Sequence, residues 1–414
     1  MAVLITDVKQ LVGVRPDSPV LRGSELANLP VIDNAFLVVE DDHIADFGTM
    51  KELPVKYGLN DFNEVIPAHH GLVMPAWCDS HTHLVFAASR ENEFIDKIKG
   101  MTYAEIAARG GGILNSAEKI RNAGEDELFN QAWKRLEELK RLGTGAIEIK
   151  SGYGLTVEAE LKMLRVIKRI KEKANIPVKA TFLGAHTYPQ EFRNNHQGYI
   201  DLIVNEMLPV IAKDKLADYV DVFCERGFFS PEETELICRA GISYGLKPKI
   251  HANQLNVSGG TEVGVKLNAV SVDHLETMDK NAIETLAGSS TIGTLLPNAA
   301  FFLRMPFQPA RELIDHGCAI ALASDFNPGS APSGNMNLVV SMACIQMKML
   351  PEEAINAATI NGAHAIELGH ITGSITIGKK ANLIITKPIP SIAYLPYAFG
   401  SNLVERVILN GEPV

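Results

Sequence analysis

Apolar and polar positions along this chain follow two patterns. Up to about residue 70 the apolar runs are short and alternate with polar residues, the period-two signature of strands with one buried face. Ala35 to Val39 and His43 to Phe47 flank Glu40-Asp41-Asp42, which predicts a hairpin. The same pattern returns at the far end. Gly373 to Gly378 precedes Ala381 to Thr386, and Val404 to Leu409 ends before Asn410-Gly411. β-rich ends around a different middle imply that both termini pair into one small β unit.

From about 72 to 370, continuous apolar runs alternate with amphipathic stretches, the second pattern. Strands are predicted at 72–78, 145–150, 178–185, 219–224, 247–251, 269–273, 291–295 and 319–324. Helices are predicted at 125–142, 157–174, 197–213, 231–245, 260–267, 279–287 and 309–316. Ser230-Pro231-Glu232-Glu233 marks one start, with a capping serine, proline at the first position and acids in the first turn. Strand–helix units repeated eight times fit a (β/α)8 barrel, typically about 250 residues long. An open doubly wound sheet competes, but no GxGxxG follows an early strand. The expected fold is therefore α/β. A TIM-type barrel spans 72–370, with a small β-sandwich built from 1–71 and 371–414.

Composition mainly excludes. With 46% hydrophobic and 21% charged residues, the 414-residue chain has the make-up of a globular protein with a large core. A formal net charge of -10 argues against a nucleic-acid partner, which calls for a basic face. No basic leader opens the chain, and no apolar run is long enough for a bilayer, so a cytoplasmic protein with no membrane partner is expected. The five cysteines are odd in number and never form CxxC, which reads as reduced, mostly buried thiols.

The chemistry lies where a barrel keeps it, at the C-terminal ends of its strands. Those ends read His81 and His83, then Lys150, His186, Cys224-Glu225, His251, His274 and Asp325. Residues two apart on a strand share a face, so His81 and His83 project together. Imidazoles with one carboxylate suit zinc or iron and leave room for a water. Lys150 is expected to be ion-paired or to face substrate. Arg90 has Glu91 and Glu93 beside it and reads equally as a surface ion pair. Gly110-Gly111-Gly112 is followed by no GK[ST], so a mobile loop near the barrel mouth is expected rather than a phosphate cradle.

The order HxH on strand 1, histidines on strands 5 and 6, and aspartate on strand 8 resembles the amidohydrolase superfamily. Gly373-Ser374-Ile375 through Ile384 also resembles the segment that leads those chains back into their terminal β-sandwich. Two-metal members carry a carbamylated lysine on strand 4, and Tyr219 to Glu225 holds no lysine. The resemblance thus implies one divalent or trivalent ion per subunit, Zn or Fe, on His81, His83, His251 and Asp325. Longer motifs are closer still to the imidazolonepropionases, the family acting third in histidine degradation. They are Asp79 to Phe86 with Ser89 to Phe94, Glu148 to Gly154, Phe182 to His186, and Ser324 to Ser330.

That resemblance implies hydrolysis of the cyclic amide of 4-imidazolone-5-propanoate to N-formimidoyl-L-glutamate, by a homodimer. It implies substrate contacts from Arg90, Tyr153, His186 and Gln254, with Asn327, Gly329 and Ser330 around the product end. His274, Asp325 and Gln254 are the expected catalytic residues, and either His186 or His274 the oxyanion donor. The alternative is a single-metal aminohydrolase of a nucleobase-like ring. Such deaminases use HxxE after strand 5, whereas His251-Ala252-Asn253-Gln254 offers an amide that cannot act as a general acid or base.

Overall fold

The computed structural model describes residues 2–101, 105 and 111–414. Sixteen strands among these residues form two sheets. The first gathers both ends of the chain: β1 (Ala2–Val12), β2 (Val31–Glu40), β3 (His43–Thr49), β4 (Glu64–Pro67), β5 (Leu72–Pro75), β14 (Leu383–Thr386), β15 (Val404–Leu409) and β16 (Glu412–Pro413). Its order is β16-β15-β14-β5-β1-β2-β3, with β4 beside β1. The predicted hairpin closes with Glu40 opposite His43. Alternation sends Val3, Ile5, Leu37 and Val39 into one apolar cluster and Leu4, Phe36 and Val38 into another, so both faces are covered.

The second sheet is wholly parallel: β6 (Trp77–Asp79), β7 (Thr144–Lys150), β8 (Val178–Ala185), β9 (Tyr219–Cys224), β10 (Lys247–Ala252), β11 (Ser271–His274), β12 (Ile292–Leu295) and β13 (Ile320–Leu322). The ring is closed just past the strand ends. Asp325 N–H donates to His81 C=O at 3.0 Å, and His83 N–H to Phe326 C=O at 2.9 Å. This is the expected (β/α)8 barrel with a separate mixed sheet from the termini. Among the described residues no helix is long and apolar enough to cross a membrane.

Three predictions need correction. The run 72–78 is two strands in different sheets. β5 pairs with β1 and β14, Ala76 gives its N–H to Asn382 C=O, and β6 then enters the barrel. The predicted helix 197–213 is α-helical at His196–Leu202 and Leu208–Asp214, with a π turn at Ile203–Met207 between. Pro209 lacks the N–H that a continuous α-helix would use there. Three helices, Met336–Met347, Pro351–Ala358 and Ile360–His364, follow the last barrel strand, β13, where none was expected. Of the glycine run, Gly110 lies outside the described residues; Gly112 caps the helix Ile113–Asn122 at φ 85°.

Candidate metal centre and active site

The barrel interior is charged. Glu148, Lys150, Lys249, Asp221 and Asp273 are all buried, at inward positions of β7, β9, β10 and β11. The outward neighbours Ile147, Ile149, Val220, Val222, Ile250 and Val272 pack into the main apolar core. Lys150 Nζ donates to Glu148 Oε1 at 2.6 Å and Asp221 Oδ2 at 2.8 Å, and lies 3.6 Å from Asp273 Oδ2. It is thus ion-paired rather than facing substrate. Burial alone would lower its pKa, but the carboxylates of Asp221, Glu148 and Asp273 overcome that and raise it.

Above this layer the histidines converge. His81 Nδ1–H donates to Asp273 Oδ2 at 2.7 Å, and His251 Nδ1 lies 3.0 Å from Asp221 Oδ2. The carboxylate on Nδ1 of His81 fixes the proton there and leaves Nε2 as a lone pair, while His251 faces Asp221 at ion-pair distance with neither ring nitrogen hydrogen-bonded. Both Nε2 atoms are buried and have no hydrogen-bond partner. Asp325 Oδ1 lies 3.6 Å from His81 Nε2 and 3.5 Å from His83 Nε2. The donor atoms of His81, His83 and Asp325 all lie within 4.8 Å of one another, as do those of His81, His251 and His274. Orphaned lone pairs facing a carboxylate across such a gap fit one metal ion.

The electrostatics agree. Burial, with Lys150 next, holds His81 well below the usual imidazole range; burial and neighbouring imidazoles do the same to His83 and His251. Burial also pushes the Asp325 carboxyl up to about 7, only partly offset by His274. A cation among these groups would relieve both effects. His274 differs: burial depresses it, but the Glu276 carboxylate, with Oε1 3.3 Å from Nδ1, raises it overall. His274 (φ 91°) and Asp325 (φ 53°) both adopt positive φ where their strands end.

The remaining expected residues surround this cluster. His186 Nδ1–H donates to Gly152 C=O at 3.0 Å, and its ring stacks 5.4 Å from that of His83. Burial lowers its pKa to about 4, partly offset by that hydrogen bond. Gly152 (φ 110°) makes the turn that turns Tyr153 inward, its ring 5.7 Å from His83. Gln254 is buried and makes no hydrogen bond to another described residue. Arg90 is half-buried, and its Nε and Nη2 donate to Glu93 Oε2 at 2.9 and 2.5 Å. Its Nη1 lies over Gly329, 2.2 Å from where a Cβ would stand. Asn327 holds the turn itself: Nδ2 donates to Asp325 C=O and Ser330 Oγ, and Oδ1 accepts from the N–H of Gly329 and Ser330. Glu225 ties down the loop after β10 through Leu255 N–H and Asn256, away from the cluster.

Sequence reading missed the supports Asp221, Asp273 and Glu276. The available signal was a lone acid inside an apolar strand, as in Val220-Asp221-Val222 and Val272-Asp273-His274. Charges seldom sit there unpaired.

A (β/α)8 barrel with this His–Asp cluster defines a metal-dependent hydrolase of the amidohydrolase class, and residues 230–414 match the Amidohydrolase family. The imidazolonepropionase of Flavobacterium johnsoniae is 60% identical over 413 residues, covering 100% of both chains. That of Clostridium tetani is 44% identical over 392 residues, covering 95% of this chain and 93% of its own. The chain belongs to the imidazolonepropionase family of the amidohydrolases. Solved structures share the fold at low identity. A Xanthomonas campestris adenosine deaminase with bound Zn has TM-score 0.72 at 16% identity, covering 99% of this chain and 92% of its own. E. coli guanine deaminase has TM-score 0.74 at 12% identity, covering 100% and 99%. The family is one of metal enzymes, and the cluster offers the ligand types for a bound metal.

Proposed function

We propose that this hydrolase opens the ring of 4-imidazolone-5-propanoate to N-formimidoyl-L-glutamate, with one ion, zinc or iron, on His81, His83, His251 and Asp325. The observation that carries the site assignment is the approach of His81 and His83 Nε2 to Asp325 Oδ1, with the His251 ring 4.6 Å from that of His81 and its buried Nε2 unpartnered. A bound ion of this kind polarises a carbonyl and lowers the pKa of water from 15.7 towards about 7.

The residues of the chain do the rest. His274, with Nδ1–H held by Glu276, presents Nε2 as an acceptor and takes the proton of the attacking water. The water oxygen bonds to the ring carbonyl carbon, the adjoining C–N bond breaks, and His274 returns the proton to the departing nitrogen. His186 has its Nδ1–H committed to Gly152 and offers only an acceptor, so it suits a ring N–H rather than an oxyanion. Arg90 faces the propionate, and Gln254 orients the ring. Asn327 keeps Asp325, Gly329 and Ser330 in one turn. Asp325 has a second support in Ser330 Oγ, 3.4 Å from Oδ2.

The aminohydrolase reading has less behind it. Guanine and adenosine deaminases share the fold at 16% identity or below, and Gln254 cannot shuttle a proton. Supplying imidazolonepropionate and following loss of its ultraviolet absorbance tests the proposal. An inert substrate together with ammonia release from guanine or cytosine would overturn it.

A further inference from the structure

Below the proposed metal centre, one lysine is connected to two of its imidazoles. Asp221 Oδ2 is shared between Lys150 Nζ at 2.8 Å and His251 Nδ1 at 3.0 Å. Asp273 Oδ2 is shared between His81 Nδ1 at 2.7 Å and Lys150 Nζ at 3.6 Å. Asp273 thus hydrogen-bonds the His81 ring, Asp221 sets its charge 3.0 Å from His251 Nδ1, and the one ammonium lies behind both carboxylates. Each aspartate's other oxygen is held separately: Asp221 Oδ1 accepts from His251 N–H, and Asp273 Oδ1 from Ser271 Oγ. Neither carboxylate can turn without losing these partners.

We infer that Lys150 is a positioning residue for the metal centre, holding Asp221 and Asp273 as acceptors so that His251 and His81 both present bare Nε2 atoms. This rests on the reading that both histidines are ligands. The second buried cation provides a contrast. Lys249 Nζ pairs with Glu148, donates to the carbonyls of Ser80 and Ala365, and lies 3.9 Å from Asp273. It is as deeply buried as Lys150, but its hydrogen bonds go to Glu148, Ser80 and Ala365 rather than to Asp221. A lysine that only balanced charge would be interchangeable with it. The two lysines and three acids carry one net negative charge, so removing either lysine perturbs the balance equally. Only Lys150 connects both rings.

The test uses the full chain with 15N-labelled histidine, with and without zinc. Long-range 1H–15N correlation reports which ring nitrogen carries the proton, and chelator competition reports zinc affinity. Lys150→Met should release both His81 and His251 from the Nδ1–H form and weaken zinc binding by about 10- to 100-fold, the usual scale for losing an outer support. Lys249→Met should leave the His251 ring as it is, since Lys249 reaches Asp273 alone of the two aspartates. If K150M fails to fold, the pair Lys150→Met with Glu148→Gln retains one net negative charge and removes the same shared donor. Two rings still in the Nδ1–H form, with zinc affinity within about twofold of wild type, would reduce Lys150 to a structural ion pair. So would equal effects from K249M. Turnover of imidazolonepropionate by wild type is measured separately, so failure here leaves the proposed function standing.

Discussion

Arg90 and Gly329 form one contact that can be broken from either side. Two nitrogens of the guanidinium are occupied by Glu93, and the third lies over Gly329. A methyl group added at Gly329 would stand 2.2 Å from Arg90 Nη1, with Arg90 Cζ at 3.1 Å and Asn327 Oδ1 at 3.6 Å. Gly329→Ala should therefore displace the end of one flexible side chain and leave the backbone in place. A hydrogen bond to a charged group contributes about 1.5–3 kcal/mol. At 1.36 kcal/mol per factor of ten, losing one to the propionate lowers kcat/KM by about 10- to 150-fold. The loss should fall on KM, since the tail is bound alike in ground and transition states. Initial rates from the ultraviolet decay measure it, and thermal melting shows whether the fold survives. Arg90→Ala should match Gly329→Ala, and the double variant should be no worse than either single. Additive losses, or wild-type kinetics in G329A, would refute this placement of the guanidinium.

Three further outcomes follow. His274→Ala should lower kcat by about 100- to 10,000-fold with metal content near wild type; loss of metal would make His274 a ligand instead. Dialysis against a chelator should abolish turnover, and added zinc or iron should restore it, whereas a fully active metal-free enzyme would contradict the site. Tyr199 donates its buried hydroxyl to Gly184 C=O at 2.8 Å, so Tyr199→Phe should cost about 1–2 kcal/mol and lower the urea midpoint at unchanged activity.

The barrel was legible where strands are buried on both faces and read as mainly apolar runs, as at Tyr219–Cys224 and Val178–Ala185. The same rule hid the break at Ala76. Residues 72–78 are apolar almost throughout, and nothing local shows that β5 and β6 belong to different sheets. The helix Met336–Met347 was missed because it is buried on several sides and shows no polar stripe of helical period. In the site, His81 and His83 announced themselves by spacing, and Asp325 by its strand end. Asp221, Asp273 and Glu276 carry no spacing signature. Their role arises only when neighbouring strands set a carboxylate beside an imidazole, a relation between residues far apart in the chain.

The junction at Ala76 has a consequence for how the enzyme comes into being. The strand leading to the paired histidines starts one residue after β5, which lies between β1 and β14, and Ala76 itself is bonded to Asn382. β14 is synthesised long after His83 has left the ribosome. A nascent chain can close much of its barrel early, yet the segment presenting His81 stays without its outer brace until the last strands arrive. Capture of the ion should therefore be among the final events of maturation, and a ribosome-stalled chain ending before Leu383 should hold metal poorly even with every ligand already made.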